Sequence, residues 1–253
     1  MTRSSQIPFQ KLSRMPAPTY SLRPQGDRCL SIDFGNEIST EIGLLCLSAA
    51  ATLGQAQLQG VTDIVPSYTA VALFYIPGVE FGGTDFPTLC AQVDQQLKAG
   101  WLQATTSARQ VDIPVCYGGK HGPDLSEVAK KIGVTEQEVI RLHTSPGSMV
   151  FGLGFSPGHP YIGVHDPLFA LPRRDVPRTA VPAGSVAIAN RQSTIYPTLL
   201  PGGWHILGAT PLKLFDLNRS QPSLLLPGDQ VRFIPISEQE FDRLAAERTQ
   251  EVA

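Results

Sequence analysis

Apolar positions along this chain recur in two rhythms, and the change from one to the other divides it. In the first hundred residues, short β-rich runs alternate with stretches of helical period. CLSIDFG (29–35) reads as a strand ended by glycine, and Asn36 is placed to cap a helix with an apolar face of Ile38, Ile42, Leu45, Ala49 and Leu53. In DIVPSYTAVALFYIPG, Val71 through Ile76 form a buried strand that Pro77-Gly78 closes. A second helix runs from about Phe86 to Ala99. Phe86, Leu89, Val93 and Leu97 share one face, Pro87 fits the first turn, and Gly100 suits the C-terminal end. VDIPVCY (111–117) follows as a third strand. This alternation predicts a small α/β sandwich of ferredoxin-like type over residues 20–105.

DLSEVAKKIG (124–133) and TEQEVIRLH (135–143) each begin with a capping-box pattern, Asp124 with Glu127 and Thr135 with Glu138, and so predict two short helices. The pair has the spacing of a DNA-reading helix-turn-helix. Its second helix offers only Arg141 and His143 as polar donors beside glutamates, so it reads as a packed helical insert. From Ser148 to Pro235 the texture changes. MVFGLGF, SVAIA, WHILG, LKLFD and QVRFIPI alternate with Pro/Gly-rich loops, the pattern of a β-barrel or sandwich. This second domain spans 106–236 with the helical insert at 124–143. A charged helix ends the chain at 237–253. The fold class expected is therefore α+β.

Composition narrows the function classes. With 42% hydrophobic and 17% charged residues, the 253-residue chain is too apolar for intrinsic disorder. A formal net charge of −2 supplies no positive field for nucleic acid or an anionic membrane, so neither is an expected partner. Cys29, Cys46, Cys90 and Cys116 form no C-x-x-C pair and read as packed, reduced thiols, which fits a cytoplasmic setting. Arg3, Lys11, Arg14 and Arg23 lie in an acid-free N-terminal stretch with no signal-peptide core, read as a mobile basic tail over 1–19. No run approaches the length of a membrane helix.

GFSPG (154–158) matches G-x-S-x-G, the nucleophile elbow of serine hydrolases. That device uses the backbone N–H after the serine for its oxyanion hole. Here the residue is Pro157, which has none, so Ser156 reads as a loop residue although Asp166 and His205 follow in triad order. The loop is stiffened by Pro157 and Pro160, and His159 and Tyr161 are its polar tips. It reads as a pocket wall or as a plain turn with a solvent-facing histidine. His159, His165 and Asp166 make a weak metal set. Arg173, Arg174 and Arg178 in PRRDVPRTAVPAGS could fork onto a carboxylate or phosphate, or form a solvated loop with an Arg–Asp175 pair. Gln192, Tyr196 and Trp204 surround the Pro201-Gly202-Gly203 turn. YGGKHGPD (117–124) lacks the Ser/Thr of a phosphate loop.

Assembled in order from about Gly26 to Phe233, GDRCLSIDFGNEI, DIVPSY, VDIPVCYGGKHGPDL, TEQEVIRLH, GFSPGHPYIG, PRRDVPRTAVPAGSVAIA, QSTIYP and PGGWHILGATPLKLFD resemble the allophanate hydrolase subunit 1 family. That family includes the B-type 5-oxoprolinase component, a sporulation kinase inhibitor and the carboxyltransferase C-D subdomains of urea carboxylase. The resemblance implies a cyclophilin-like barrel as the second domain. It also implies a subunit 2-like partner and a third subunit, with ATP-dependent opening of 5-oxoproline to glutamate and ATP held or shared by a partner. No metal or biotin site is expected in this chain. His159 and Arg178 are the catalytic candidates. Phe155, Pro157, Gly158, Tyr161, Arg174, Gln192, Tyr196 and Trp204 are the substrate-binding candidates. A kinase-inhibiting binding module and a urea carboxylase or allophanate hydrolase component are the alternatives. Three departures from the family pattern stand out: His159 in place of an aromatic, IANRQST in place of I-A-G-x-Q-T-G, and Ala209 in place of an arginine.

Overall fold

The computed structural model describes residues 18–102 and 109–250, with side chains up to 247. The chain divides at 105/106 into two compact units. Most of the basic N-terminal stretch, including Arg3, Lys11 and Arg14, lies outside the described residues, whereas Arg23 sits in the first strand.

The first unit consists of β1 (Ser21–Pro24), β2 (Cys29–Asp33), α1 (Thr40–Ala56), β3 (Val61–Pro66), β4 (Ala70–Tyr75) and α2 (Phe86–Ala99). Its sheet has the order β1-β2-β4-β3, with every pair antiparallel. Period two in the strands and period 3.6 in the helices bring one face of each to a common core. Leu30 and Ile32 of β2, Val71, Leu73 and Tyr75 of β4, Cys46, Ala49 and Leu53 of α1, and Leu89, Val93 and Leu97 of α2 meet there. Each large aliphatic side chain so buried stabilises the fold by about 1.5–3 kcal/mol. Asp85 caps α2, its side chain accepting from the Thr88 amide at 2.7 Å.

Several expectations are corrected in this unit. The cap of α1 is Ser39, which accepts from the Ile42 amide, so Asn36 and Ile38 precede the helix. β4 is buried on alternate residues only, and Phe74 and Ile76 are exposed. A β-α-β-β-α-β order would need VDIPVCY as its closing strand. Here β1 lies beside β2, and VDIPVCY belongs to the second unit.

The second unit holds β5 (Gln110–Tyr117), α3 (Leu125–Ile132), α4 (Glu136–His143), β6 (Ser148–Leu153), β7 (Pro160–Gly163), β8 (Arg178–Val181), β9 (Ser185–Ala189), β10 (Gln192–Ile195), β11 (Leu200–Gly202), β12 (His205–Ala209), β13 (Gln230–Pro235) and α5 (Glu238–Gln250). A closed barrel runs β10-β7-β6-β13-β5-β12-β9, and β8 pairs with β11 apart from it. Only the β5–β13 pair of the barrel is parallel. Ile113, Val115, Val150, Ile162, Val186, Ile195, Val231 and Phe233 form one cluster. A second joins α3 and α4 to Phe169, Ile188 and Leu207. The helical insert is thus packed against the barrel, and His143 is fully buried rather than presented to a groove. LKLFD forms no strand; Phe215 makes a single bridge to Ser223.

α4 begins as expected, with Thr135 accepting from the Glu138 amide. Asp124 at the start of α3 does not cap its helix; its carboxylate points elsewhere. The β9–β10 hairpin turns through Asn190 and Arg191, both left-handed at φ 48° and 65°. A two-residue turn of this kind needs positive φ at both positions, which explains a glycine-rich pattern there. Arg191 is held in that conformation by its amide on the Phe169 carbonyl, the His165 amide on its own carbonyl, and its Nε on the His165 carbonyl. Ala209 is buried in β12, paired with Cys116 and Ser185.

Candidate functional site

Strand alternation separates two faces of β7, β9 and β10. Thr194 pairs with Tyr161 and Ala187, while its neighbour Ser193 pairs with Ile162 and Ile188. Successive side chains point to opposite faces, so Thr194 and Tyr161 lie on the face away from Ile162. On that face Val181, Ala187, Ala189, Tyr196, Trp204 and Ile206 form a separate apolar cluster, with Tyr161 and Leu200 packed against it.

The 154–159 loop joins β6 to β7 and is closed by the Gly154 amide on the His159 carbonyl and the His159 amide on the Ser156 carbonyl. Gly158 is buried against Leu214 and Phe215, while Phe155 is exposed and left-handed at φ 69°. A non-glycine residue in that region is strained by about 1–2 kcal/mol. The loop and Phe215 and Ser223 line an open cleft of about 480 Å³. β7 rather than a helix follows Ser156.

His159 is not the solvent-facing tip expected of it. It is buried and makes edge contacts with Phe155, Tyr161 and Tyr196 at centroid distances of 5.4, 5.2 and 5.4 Å. Thr194 Oγ1 donates to the Pro160 carbonyl at 2.8 Å, so toward the imidazole it can only accept. The tautomer follows: His159 Nε2–H donates to Thr194 Oγ1 at 2.9 Å, and Nδ1 carries the lone pair. Burial pushes the His159 pKa down to about 4, so the ring is neutral at pH 7. Tyr161 leads on to Trp204 at 6.3 Å, and the Arg173 guanidinium stands 5.9 Å from the Trp204 ring. A Cβ on Gly202 would lie 2.1 Å from the Tyr196 hydroxyl, so that turn position accepts only glycine while Tyr196 keeps its place.

Five of the residues singled out from the sequence, Phe155, His159, Tyr161, Tyr196 and Trp204, are therefore neighbours. Pro157 and Gly158 line the cleft beside them. Gln192 lies two positions from Thr194 along β10, opposite Gly163 and Ala189, and makes none of these ring contacts. Arg174 and Arg178 are not open anion clamps. Arg178 forks onto Asp124 at 2.7 and 2.8 Å; Arg174 reaches Asp124 at 3.0 Å and Glu127 at 3.1 Å. The Ile206 amide completes the shell of Asp124 at 2.8 Å. Burial alone would raise the Asp124 pKa, but these donors outweigh it and hold the carboxylate below its ordinary range. Asp175 takes no part in this network.

Two of these players escaped the sequence reading. Asp124 carried a helix-capping signature, and nothing marks its pairing with arginines 50 and 54 positions away. Thr194 carried no distinguishing signal, whereas Arg173 was one of the three arginines read as a fork for an anion. His165 does not join His159 in a metal set. It stacks on His143 at 4.9 Å, and His143 is flanked by the Tyr117 hydroxyl at 2.7 Å and Ser193 at 2.8 Å. Burial lowers the pKa of both histidines, that of His165 to about 4. Among the described residues no group of three or more His, Cys, Asp or Glu is disposed to hold a metal ion. No described helix is long and apolar enough to cross a membrane.

In the YGGKHGPD turn, Lys120 pairs with Glu238 of α5 at 2.5 Å, and His121 packs on Phe241 at 4.2 Å. A Cβ on Gly122 would lie 2.0 Å from the Leu207 carbonyl oxygen. That glycine lets two backbones meet rather than cradling a phosphate.

The fold, an α/β unit followed in sequence by a closed barrel, sets the comparison with known proteins. Residues 20–225 match the carboxyltransferase domain, subdomain C and D, and the chain belongs to that family. The B-type 5-oxoprolinase component of Bacillus subtilis (strain 168) is 37% identical over 231 residues, covering 88% of this chain and 95% of its own length. That of Escherichia coli O157:H7 is 44% identical over 154 residues, covering 60% of this chain and 71% of its own. The crystal structure of TTHA0988 superposes with a TM-score of 0.71 at 36% identity, over 83% of this chain. This chain spans 40% of that longer protein.

Proposed function

We propose that this chain is the B-type component of a cytoplasmic 5-oxoprolinase, acting with a subunit 2-like partner and a third subunit to open 5-oxoproline to glutamate with ATP and water. The observation that carries the reading is the 37% identity that extends over 95% of the B-type component from Bacillus subtilis. The site chemistry supports a binding contribution. A lactam is a small, flat ring with one carbonyl and one N–H, and its carboxylate adds a charge. The exposed Phe155 at the cleft suits the ring, and the buried Tyr196 and Trp204 back the loop and Tyr161 from beneath. The neutral His159 serves as a hydrogen-bonding group and, with a pKa near 4, is a weak proton acceptor at pH 7.

Among the described residues, the basic and glycine-rich candidates are not free to hold the phosphates of ATP. Arg174 and Arg178 are engaged by Asp124 and Glu127, Lys120 is paired with Glu238, and the glycine-rich turn is closed by backbone contact. Phosphoryl activation of the lactam carbonyl is accordingly assigned to a partner subunit, where charge on the transferring group can be stabilised. The test is reconstitution. The chain combined with its two partner subunits should release ADP in a 5-oxoproline-dependent way, and omission of the chain should abolish that release. An unchanged rate without it, or a complete complex inert toward 5-oxoproline, would refute the reading.

A further inference from the structure

Of the nine large apolar side chains that stand exposed among the described residues, four fall within eight positions of the first unit: Phe74, Ile76, Val79 and Phe81. Single exposed apolar residues are ordinary on a folded chain, whereas a cluster of this kind is not. Phe74 and Ile76 sit two apart at the end of β4, on the sheet face away from Leu73 and Tyr75. Val79–Phe81 form a single 3-10 turn beyond them, and its two apolar residues are the most open of the four, at 63% and 74%. The loop that lifts this turn is tied at its base. The Ile76 amide donates to the Gly60 carbonyl, the Thr84 amide to the Ile76 carbonyl, and the Gly78 amide to the Thr84 carbonyl, at 2.9, 2.9 and 3.2 Å. A Cβ on Gly83 would lie 1.9 Å from the Ile76 carbonyl oxygen, and one on Gly60 2.9 Å from the Gly83 backbone, so the base closes only while both are glycine. A loop ordered in advance lowers the entropy lost on binding. The charge around it is one-sided. Segments 60–66 and 74–85 carry Asp63, Glu80 and Asp85, all exposed, and no Lys or Arg. Asp63 lies opposite Phe74 in the β3–β4 ladder, and Asp27 with Arg28 before β2 adds one charge of each sign.

We infer that this knob is a docking element that holds another protein chain, one presenting an apolar socket ringed by Lys or Arg. The charge pattern selects among the occupants. A second copy joined about a twofold axis would set the same patch against itself, acid facing acid, and like charges across an interface are costly. An anionic membrane surface repels the same carboxylates. A basic-rimmed socket buries Val79 and Phe81 and attracts the carboxylates around them. The four side chains expose on the order of a few hundred Å², which suits the apolar centre of an interface of roughly 800 Å² per partner with a charged rim. The inference rests on the proposed function only for taking the socket-bearing chain to be one of the two partner subunits.

The test is association of the full-length chain with each partner subunit in turn, measured by calorimetric titration and sedimentation velocity. One of them should bind, and the double variant Val79→Ser, Phe81→Ser should weaken that binding by about thirtyfold or more, because buried apolar anchors dominate an interface. Glu80→Lys should weaken it by about tenfold, and added salt should weaken wild type more than Glu80→Lys. These positions are exposed, so the Tm of the isolated chain should move by less than about 2 °C. Should the double variant fail to fold, Glu80→Lys and its salt dependence carry the test. Equal affinity for wild type and variants overturns the inference, and so does binding to neither partner subunit. Self-association of the wild-type chain that Phe81→Ser abolishes would assign the knob to a second copy and overturn it too. Sedimentation with phosphatidylcholine–phosphatidylserine vesicles, lost in the double variant, would do the same in favour of a membrane. An active complex whose assembly ignores the knob refutes the docking element alone. A complex that assembles through the knob but is inert toward 5-oxoproline refutes the proposed function alone.

Discussion

Asp124→Asn keeps the size of the side chain and removes the charge on which three guanidinium hydrogen bonds and one amide converge. Asp124 is 3% exposed, whereas the Arg174 and Arg178 side chains are 25% and 26% exposed. Removing one partner of a fully buried pair costs about 3–5 kcal/mol, because the other charge is stranded. Here water reaches a quarter of each arginine and recovers part of its solvation, so the expected loss is about 2–3 kcal/mol. For a unit of this size that lowers Tm by about 4–12 °C. The assay is thermal and urea unfolding of the full chain, read through Trp204 in the Trp101→Phe background so that the reporter lies in the barrel unit. The pH dependence supplies a second check. The folded pKa of Asp124 is depressed, so its contribution is present above the unfolded value of about 3.9 and is lost as pH falls through the folded one. The gap between wild type and variant should therefore be full at pH 7 and shrink in strong acid. A midpoint shift below about 1 °C at pH 7 would refute the reasoning.

His165 is neutral when folded, with its pKa pushed down to about 4 by burial, so the unfolded chain binds the extra proton and stability is lost as pH falls from about 6.5 toward 4. His165→Phe should remove about 1.4 kcal/mol per pH unit from the slope of urea stability against pH in that window; an unchanged slope contradicts the assignment. Asn190→Val should destabilise by about 1–2 kcal/mol, because a β-branched residue resists the left-handed turn, while Asn190→Gly should cost little; equal urea midpoints for the two variants would count against this. Ser156→Ala should leave kcat/KM of the reconstituted complex within about twofold, and loss of turnover would restore Ser156 as a nucleophile.

Periodicity carried most of the secondary structure. α2 has the bounds expected from Phe86, Leu89, Val93 and Leu97, and the barrel strands fall on the short apolar runs. Local ambiguity accounts for the errors. Ser39 and Asn36 are both competent caps by residue type, and the helix begins after Ser39. LKLFD is as apolar as a strand, yet its residues serve as packing for Gly158 and the barrel. The candidate site was legible as a set of stiff loops bearing aromatics, because proline and glycine constrain backbone wherever they occur.

The sequence by itself determined the two-unit rhythm and the helical insert, since each rests on interactions within a few residues. The tertiary structure alone decided the state of every charged or titratable group in the site. Asp124 became an arginine acceptor instead of a cap, and His159 a buried neutral ring instead of a polar tip. Desolvation and charge pairing depend on neighbours fifty residues away, and chain closure into a barrel is what supplies those neighbours.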